Sequence, residues 1–158
     1  MGVQYSNSSI EQSLGRVEEI QNLCIKTGKQ LVVYISMGFG NPYGDPYDEE
    51  IVFEWVNKLV AMDIGIISLA DTVGLATPAQ VYDISGYLVE SLPGTEIGVH
   101  LHSTPDNWKE KLEAAVKSGC KRFDGALMID YFEQNNLLIG LNKEALSESL
   151  RIAEEIFI

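Results

Sequence analysis

Apolar residues gather in four short runs, at residues 31–36, 64–70, 97–102 and 122–124, and the first three are continuous rather than alternating. Strands buried on both faces read this way, because side chains pointing up and side chains pointing down both meet an apolar layer. Between the runs the spacing becomes helical. Over residues 48–62, Ile51, Val52, Trp55, Val56, Leu59 and Val60 recur three and four apart, the stripe of an amphipathic helix. Thr77-Pro78-Ala79-Gln80 reads as a helix start, with a Thr cap, Pro in the first turn and Gln at the reciprocal capping position. Thr104-Pro105 predicts the opening of the next helix, which ends near Gly119, and residues 128–135 predict a shorter one. Ser9-Ile10-Glu11-Gln12 is a second capping box and opens a helix to about Lys26, ahead of the first strand. Asn142 caps a last helix through Phe157, and Val3-Gln4-Tyr5 offers a strand stub.

The order is helix, then strand–helix four times, then a terminal helix. Strand, crossover helix and next strand recur at the spacing of βαβ units, which predicts a parallel sheet with right-handed crossovers. No disordered linker or low-complexity tract interrupts the pattern, so residues 1–158 read as a single domain. Eight strands close a barrel, typically over about 250 residues, and four parallel strands do not close alone. Two α/β architectures stay open at this point. One is a partial (β/α)8 TIM barrel of about four to five βα units; the other is an open doubly wound sheet.

Composition narrows the function classes. The chain is 46% hydrophobic and 22% charged, which suits one globular core. Its formal net charge of -12 repels phosphate backbones, so no nucleic-acid partner is expected. Lys109, Lys111, Lys117, Lys121 and Arg122 are a local exception. They read as the solvated face of one helix, the alternative being a weak attraction for an anionic substrate. Cys24 and Cys120 are too few for a disulfide framework and both read as reduced, buried packing residues, which suits a cytoplasmic protein. No signal peptide and no membrane segment are expected, since no charged start precedes an apolar core and no apolar run is long enough.

In α/β proteins the strand ends collect the working residues. Here those ends read Ser36-Met37-Gly38, Asp71-Thr72, His100-Leu101-His102 and Asp124-Gly125. The most informative is the third. A strand places alternate side chains on one face, so His100 and His102 point the same way and make half of a metal site. Asp71 reads either as a turn residue or as an acid, base or acceptor beside a metal. Asp124 reads as structural. Gly38-Phe39-Gly40-Asn41-Pro42-Tyr43-Gly44 fails the dinucleotide fingerprint, because Tyr43 stands at the third glycine position, and it reads as a loop near the rim. No phosphate-binding loop, nucleophile elbow or zinc-finger cysteine pair is present in the sequence.

These pieces, taken in order, resemble a known family. The stretch from Asn7 to Ala126 resembles the C-terminal half of 3-hydroxy-3-methylglutaryl-CoA lyase, within the metal-dependent lyase and acyl-transfer TIM-barrel group. The residues that carry the resemblance are Asn7-Ser8-Ser9-Ile10-Glu11-Gln12-Ser13, Tyr34-Ile35-Ser36-Met37 with Gly40-Asn41-Pro42-Tyr43, Ile67-Ser68-Leu69-Ala70-Asp71-Thr72-Val73-Gly74 with Thr77-Pro78, Val99-His100-Leu101-His102 and Arg122-Phe123-Asp124. The resemblance implies an aldol-type cleavage of a 3-hydroxy-3-methylglutaryl thioester to acetyl-CoA and acetoacetate. It implies a divalent cation, Mg²⁺ or Mn²⁺, that polarises substrate oxygens and stabilises the enolate. It assigns His100 and His102 as metal ligands, His100 also to proton transfer, and Asp71 and Thr72 to the substrate, with Asp71 a catalytic candidate.

The departures are as specific. The family supplies an Asp ligand and an Arg from its first strand, and nothing here corresponds. After its eighth strand the family has a Gly-Gly-Cys-Pro loop with the catalytic Cys and then an Asn ligand, whereas here Asp124-Gly125-Ala126-Leu127 runs straight into Met128-Ile129-Asp130-Tyr131. The ligand set is therefore incomplete, and the expectation is that this chain alone has no lyase activity. Three readings follow: a lyase-family enzyme seen in part, acting on an acyl-CoA; a non-catalytic shortened barrel that self-associates as a dimer or other homo-oligomer to cover its strand edges; and an open-sheet metal- or ligand-binding module.

Overall fold

The computed structural model describes residues 10–44, 47–104 and 106–124. The elements run α1 (Ile10–Thr27), β1 (Val33–Ile35), α2 (Glu49–Ala61), β2 (Ile66–Asp71), α3 (Pro78–Ser91), β3 (Glu96–Leu101), α4 (Trp108–Lys117) and β4 (Arg122–Phe123). The expected strand stub at 3–5, the cap at Ser9, the helices at 128–135 and from 142, and the junction at 127–128 lie outside the described residues.

The helices begin and end where their sequences dictate. Asp48 caps α2 by accepting from the Glu50 N–H, and Thr77 with Gln80 forms a reciprocal capping box at α3. Three helices close with the same left-handed turn. In α4, Gly119 takes φ 89° while Gly119 N–H donates to Val116 and Cys120 N–H donates to Ala115, the paired bonds of a Schellman motif. The ends of α1 and α2 repeat it, with Gly28 and Asp63 in the left-handed position. One boundary differs from expectation. The helix predicted to open at Thr104 starts at Trp108, because the Thr104 carbonyl first accepts from Asn107 and Trp108 in a turn while the Asn107 side chain accepts from Thr104 N–H.

All strand pairs are parallel and the spatial order is β1-β2-β3-β4. Each new strand adds to the same edge, so the strand order never reverses as it does in a doubly wound sheet. The partial-barrel architecture holds, and the doubly wound alternative falls. Ladder parity then sorts the side chains into two faces. Ile67, Leu69, Ile97, Val99 and Leu101 join Val56 of α2, Val81, Ile84 and Leu88 of α3 and Ala115 of α4 in one core between sheet and helices. The opposite face carries a row of register partners, Tyr34, Ser68, Gly98 and Arg122, followed by the pair Ala70 and His100. Every position of β2 is buried, on both faces, as its unbroken apolar run predicts. No helix among the described residues is long and apolar enough to cross a membrane.

Candidate functional site

His100 stands inside β3 and His102 one residue beyond its end, so both imidazoles project from the inner face. Their Nε2 atoms lie 3.3 Å apart and their ring centroids 5.2 Å, with both side chains half-buried. Two nitrogens bound to one cation at ~2.0–2.1 Å, at angles from octahedral to tetrahedral, stand about 2.9–3.4 Å apart. The observed spacing falls within that interval, so the pair fits two adjacent positions around one divalent ion. Among the described residues no group of three or more His, Cys, Asp or Glu converges on a metal position.

The surroundings of His100 are polar and come from neighbouring strands. Tyr34 meets its ring edge-on at 6.0 Å. Burial raises the Tyr34 ionisation above its ordinary range, and the charge of Asp124 and a hydrogen bond to it push the same way. Arg122 spans this face, with Nη1 donating to Glu96 Oε1 at 3.1 Å and Nε at 3.3 Å from Asp124 Oδ1. Gly98 makes this crossing possible, since a Cβ there would lie 3.0 Å from Arg122 Cδ and 3.1 Å from its Cγ. Arg122 is therefore not part of a helical solvated face; it belongs to β4 and to the inner surface.

Thr72 stands just past β2 and His102 just past β3, each one residue beyond the last register pair, Asp71 and Leu101. Its Oγ1 accepts the Met37 N–H at 2.9 Å. Met37 itself has φ 58°, and the next N–H, of Gly38, donates to Ala70 O at 3.0 Å. These bonds staple the loop after β1 against the end of β2. The Gly38–Gly44 segment lies at this same rim, as its composition suggests, with Tyr47 Oη donating to Gly38 O.

Asp71 takes the other direction. Its parity sends the carboxylate toward the helices, where it is 2% exposed. Oδ1 accepts the Ala76 N–H at 3.1 Å and Oδ2 accepts Lys111 Nζ at 2.9 Å. The structure brings His100, His102 and Thr72 to one rim and engages Asp71 behind it. Lys111 corrects the sequence reading outright: it is 2% exposed, not solvated. A signal for this exists in the sequence. Trp108, Lys111, Leu112 and Ala115 share one helical stripe, and all four are buried. A lysine in an apolar stripe requires an acid.

Cys120 is buried, with its thiol donating to Ile97 O at 3.2 Å. Burial is the main cause that raises its pKa to about 11. Native-state alkylation at pH 8 is expected to modify Cys24, which is half-buried, and to leave Cys120 intact, as peptide mass spectrometry would show. Because the folded thiol ionises later than the ordinary value of 9.0, stability is expected to decline between pH 9 and 11. A chain with unchanged urea midpoints across that window would contradict the burial.

Comparison with known proteins bears on the family and the fold. A sequence model of the HMGL-like family matches residues 3–128. Hydroxymethylglutaryl-CoA lyase YngG of Bacillus subtilis is 31% identical over 120 residues, covering 76% of this chain and 40% of that protein. The mitochondrial hydroxymethylglutaryl-CoA lyase of Bos taurus is 31% identical over 121 residues, covering 77% of this chain and 37% of that protein. The crystal structure of the Bacillus subtilis HMG-CoA lyase superposes with a TM-score of 0.71 at 26% identity, over 95% of this chain and 57% of that one. The matched stretch thus spans about two fifths of the length of these curated relatives. The histidine pair on a parallel strand end, the sequential sheet and the family match lead to one conclusion: this chain belongs to the HMGL-like family.

Proposed function

We propose that the chain forms part of a divalent-metal-dependent carbon–carbon lyase that cleaves 3-hydroxy-3-methylglutaryl-CoA to acetyl-CoA and acetoacetate. The observation that carries this reading is the 3.3 Å Nε2–Nε2 spacing of His100 and His102 at the end of β3. The names of the curated relatives supply the thioester. His100 and His102 would hold the cation, Mg²⁺ or Mn²⁺, and when bound it supplies Lewis-acid polarisation of substrate oxygens. His100, inside the strand and against Tyr34, is also the proton-transfer candidate. Thr72 borders the substrate space. Asp71, held by Lys111, supports the rim from behind rather than touching the reacting atoms. A divalent ion with only two imidazole ligands is weakly held and poorly oriented, so the 158-residue polypeptide assayed by itself is expected to release no acetoacetate.

The test combines a coupled acetoacetate assay with Mn²⁺ titration followed by electron paramagnetic resonance. Weak Mn²⁺ binding that falls at least tenfold in His100→Ala and in His102→Ala supports the metal centre. Binding unchanged in both variants rejects it, and turnover by the wild-type chain rejects the view that two ligands are too few. Self-association is the second reading. Among the described residues β1 pairs only with β2 and β4 only with β3, and sheet edges of this kind favour pairing with a second copy.

A further inference from the structure

The ladder of β3 ends at Leu101. Pairing within the sheet therefore fixes the backbone of His100 but stops one residue short of His102. Something else must set the direction in which the second imidazole leaves the chain. Lys111 is positioned to do so. Its Nζ donates to His102 O at 3.0 Å, to Gly74 O at 3.1 Å and to Asp71 Oδ2 at 2.9 Å. An ammonium has three donors, and here each has an acceptor. The acceptors come from three places: the end of β2, the loop that follows it, and the residue that follows β3. The loop is packed closely as well, since a Cβ at Gly74 would sit 3.5 Å from His102 O. Neutralising Asp71 alone would call for one of these contacts, and the other two go to rim carbonyls.

We propose that Lys111 is the positioning residue of the histidine centre. The proposal rests on the reading of His100 and His102 as metal ligands. The buried ammonium holds the His102 carbonyl, which fixes the backbone of that residue and brings its Nε2 within 3.3 Å of His100 Nε2. Outer groups that orient a ligand typically contribute about 10–100-fold to metal affinity.

Lys111→Met alone leaves a buried carboxylate without its cation, so misfolding could mask the effect. The deciding variant is Lys111→Met/Asp71→Asn, which removes both charges; Asp71→Asn alone keeps the bond from Lys111 to His102 but leaves a buried ammonium without its anion, so it is compared under conditions where circular dichroism shows it folded. The expected result has three parts. The double variant melts within a few degrees of wild type. It binds Mn²⁺ about tenfold or more weakly, while Asp71→Asn keeps most of the wild-type affinity. In the metal-free chain, the ¹H–¹⁵N ring signals of His102 shift in the double variant and stay in place in Asp71→Asn. The proposal is overturned if the double variant folds normally with unchanged Mn²⁺ affinity and unmoved His102 signals. It is equally overturned if Asp71→Asn loses as much affinity as the double. Failure of the metal reading is separate: wild type then binds Mn²⁺ no better than His100→Ala, and the ring signals of the metal-free protein still decide whether Lys111 sets His102.

Discussion

Lys111→Met is expected to lower the unfolding free energy by about 3–5 kcal/mol, because removing one partner of a buried ion pair strands the other charge. Three contacts disappear together. Buried Asp71 Oδ2 loses its cation, and the part-buried carbonyls of Gly74 and His102 lose a donor. Methionine matches the length and apolar stem of lysine, so the stripe it shares with Trp108, Leu112 and Ala115 should repack with little cavity. The loss is therefore electrostatic rather than steric. Urea denaturation followed by circular dichroism measures it. Adding Asp71→Asn should recover most of the lost stability, since no buried charge then remains. A single variant within about 1 kcal/mol of wild type would show that water reaches Asp71 and that the pair is not closed.

Gly98→Val is the second large effect, expected at about 2–3 kcal/mol, in the range of overpacking a filled site. The Cβ alone would stand 3.0–3.2 Å from the Cβ, Cγ and Cδ of Arg122. Those are the rooted atoms of the side chain, so a swing of the guanidinium does not relieve the clash. Arg122 must leave the inner face, and its ion pairs with Glu96 and Asp124 go with it. These pairs are partly exposed and contribute modestly; the backbone shift between β3 and β4 dominates. The double variant Gly98→Val/Arg122→Ala should recover more stability than Arg122→Ala loses by itself. Additive losses in that cycle would mean that Arg122 does not lie across Gly98.

The alternation of strand and helix was legible because it rests on local periodicity. The runs at 64–70 and 97–102 and the Thr77 start reappear within one or two residues as β2, β3 and α3. Strand order was not legible, since a continuous apolar strand is buried on both faces in either architecture, and only the pairing of β1 with β2 and of β3 with β4 distinguishes them. His100 and His102 could be placed on one face because two-residue spacing in a strand leaves no alternative. Lys111 was misread because residue type argued for the surface, while its partner lies 40 positions earlier in the chain. The same holds for Arg122, whose surroundings are set by a glycine on the adjacent strand. Asp71 shows the limit most clearly. Its place at a strand end resembles that of a substrate-facing acid, and a single step of ladder parity turns it toward the helices.

The left-handed turns that close α2 and α4 leave only two residues before the next strand. One residue inserted after Gly119 would advance β4 by half a pleat and exchange its faces. Phe123 would then enter the polar inner surface, and Arg122 would be driven into the apolar layer beneath the helices. Sequence length at that end is therefore constrained by register, whereas the segments after β1, β2 and β3 lead into helices, whose starts can shift along the chain without exchanging the faces of a strand.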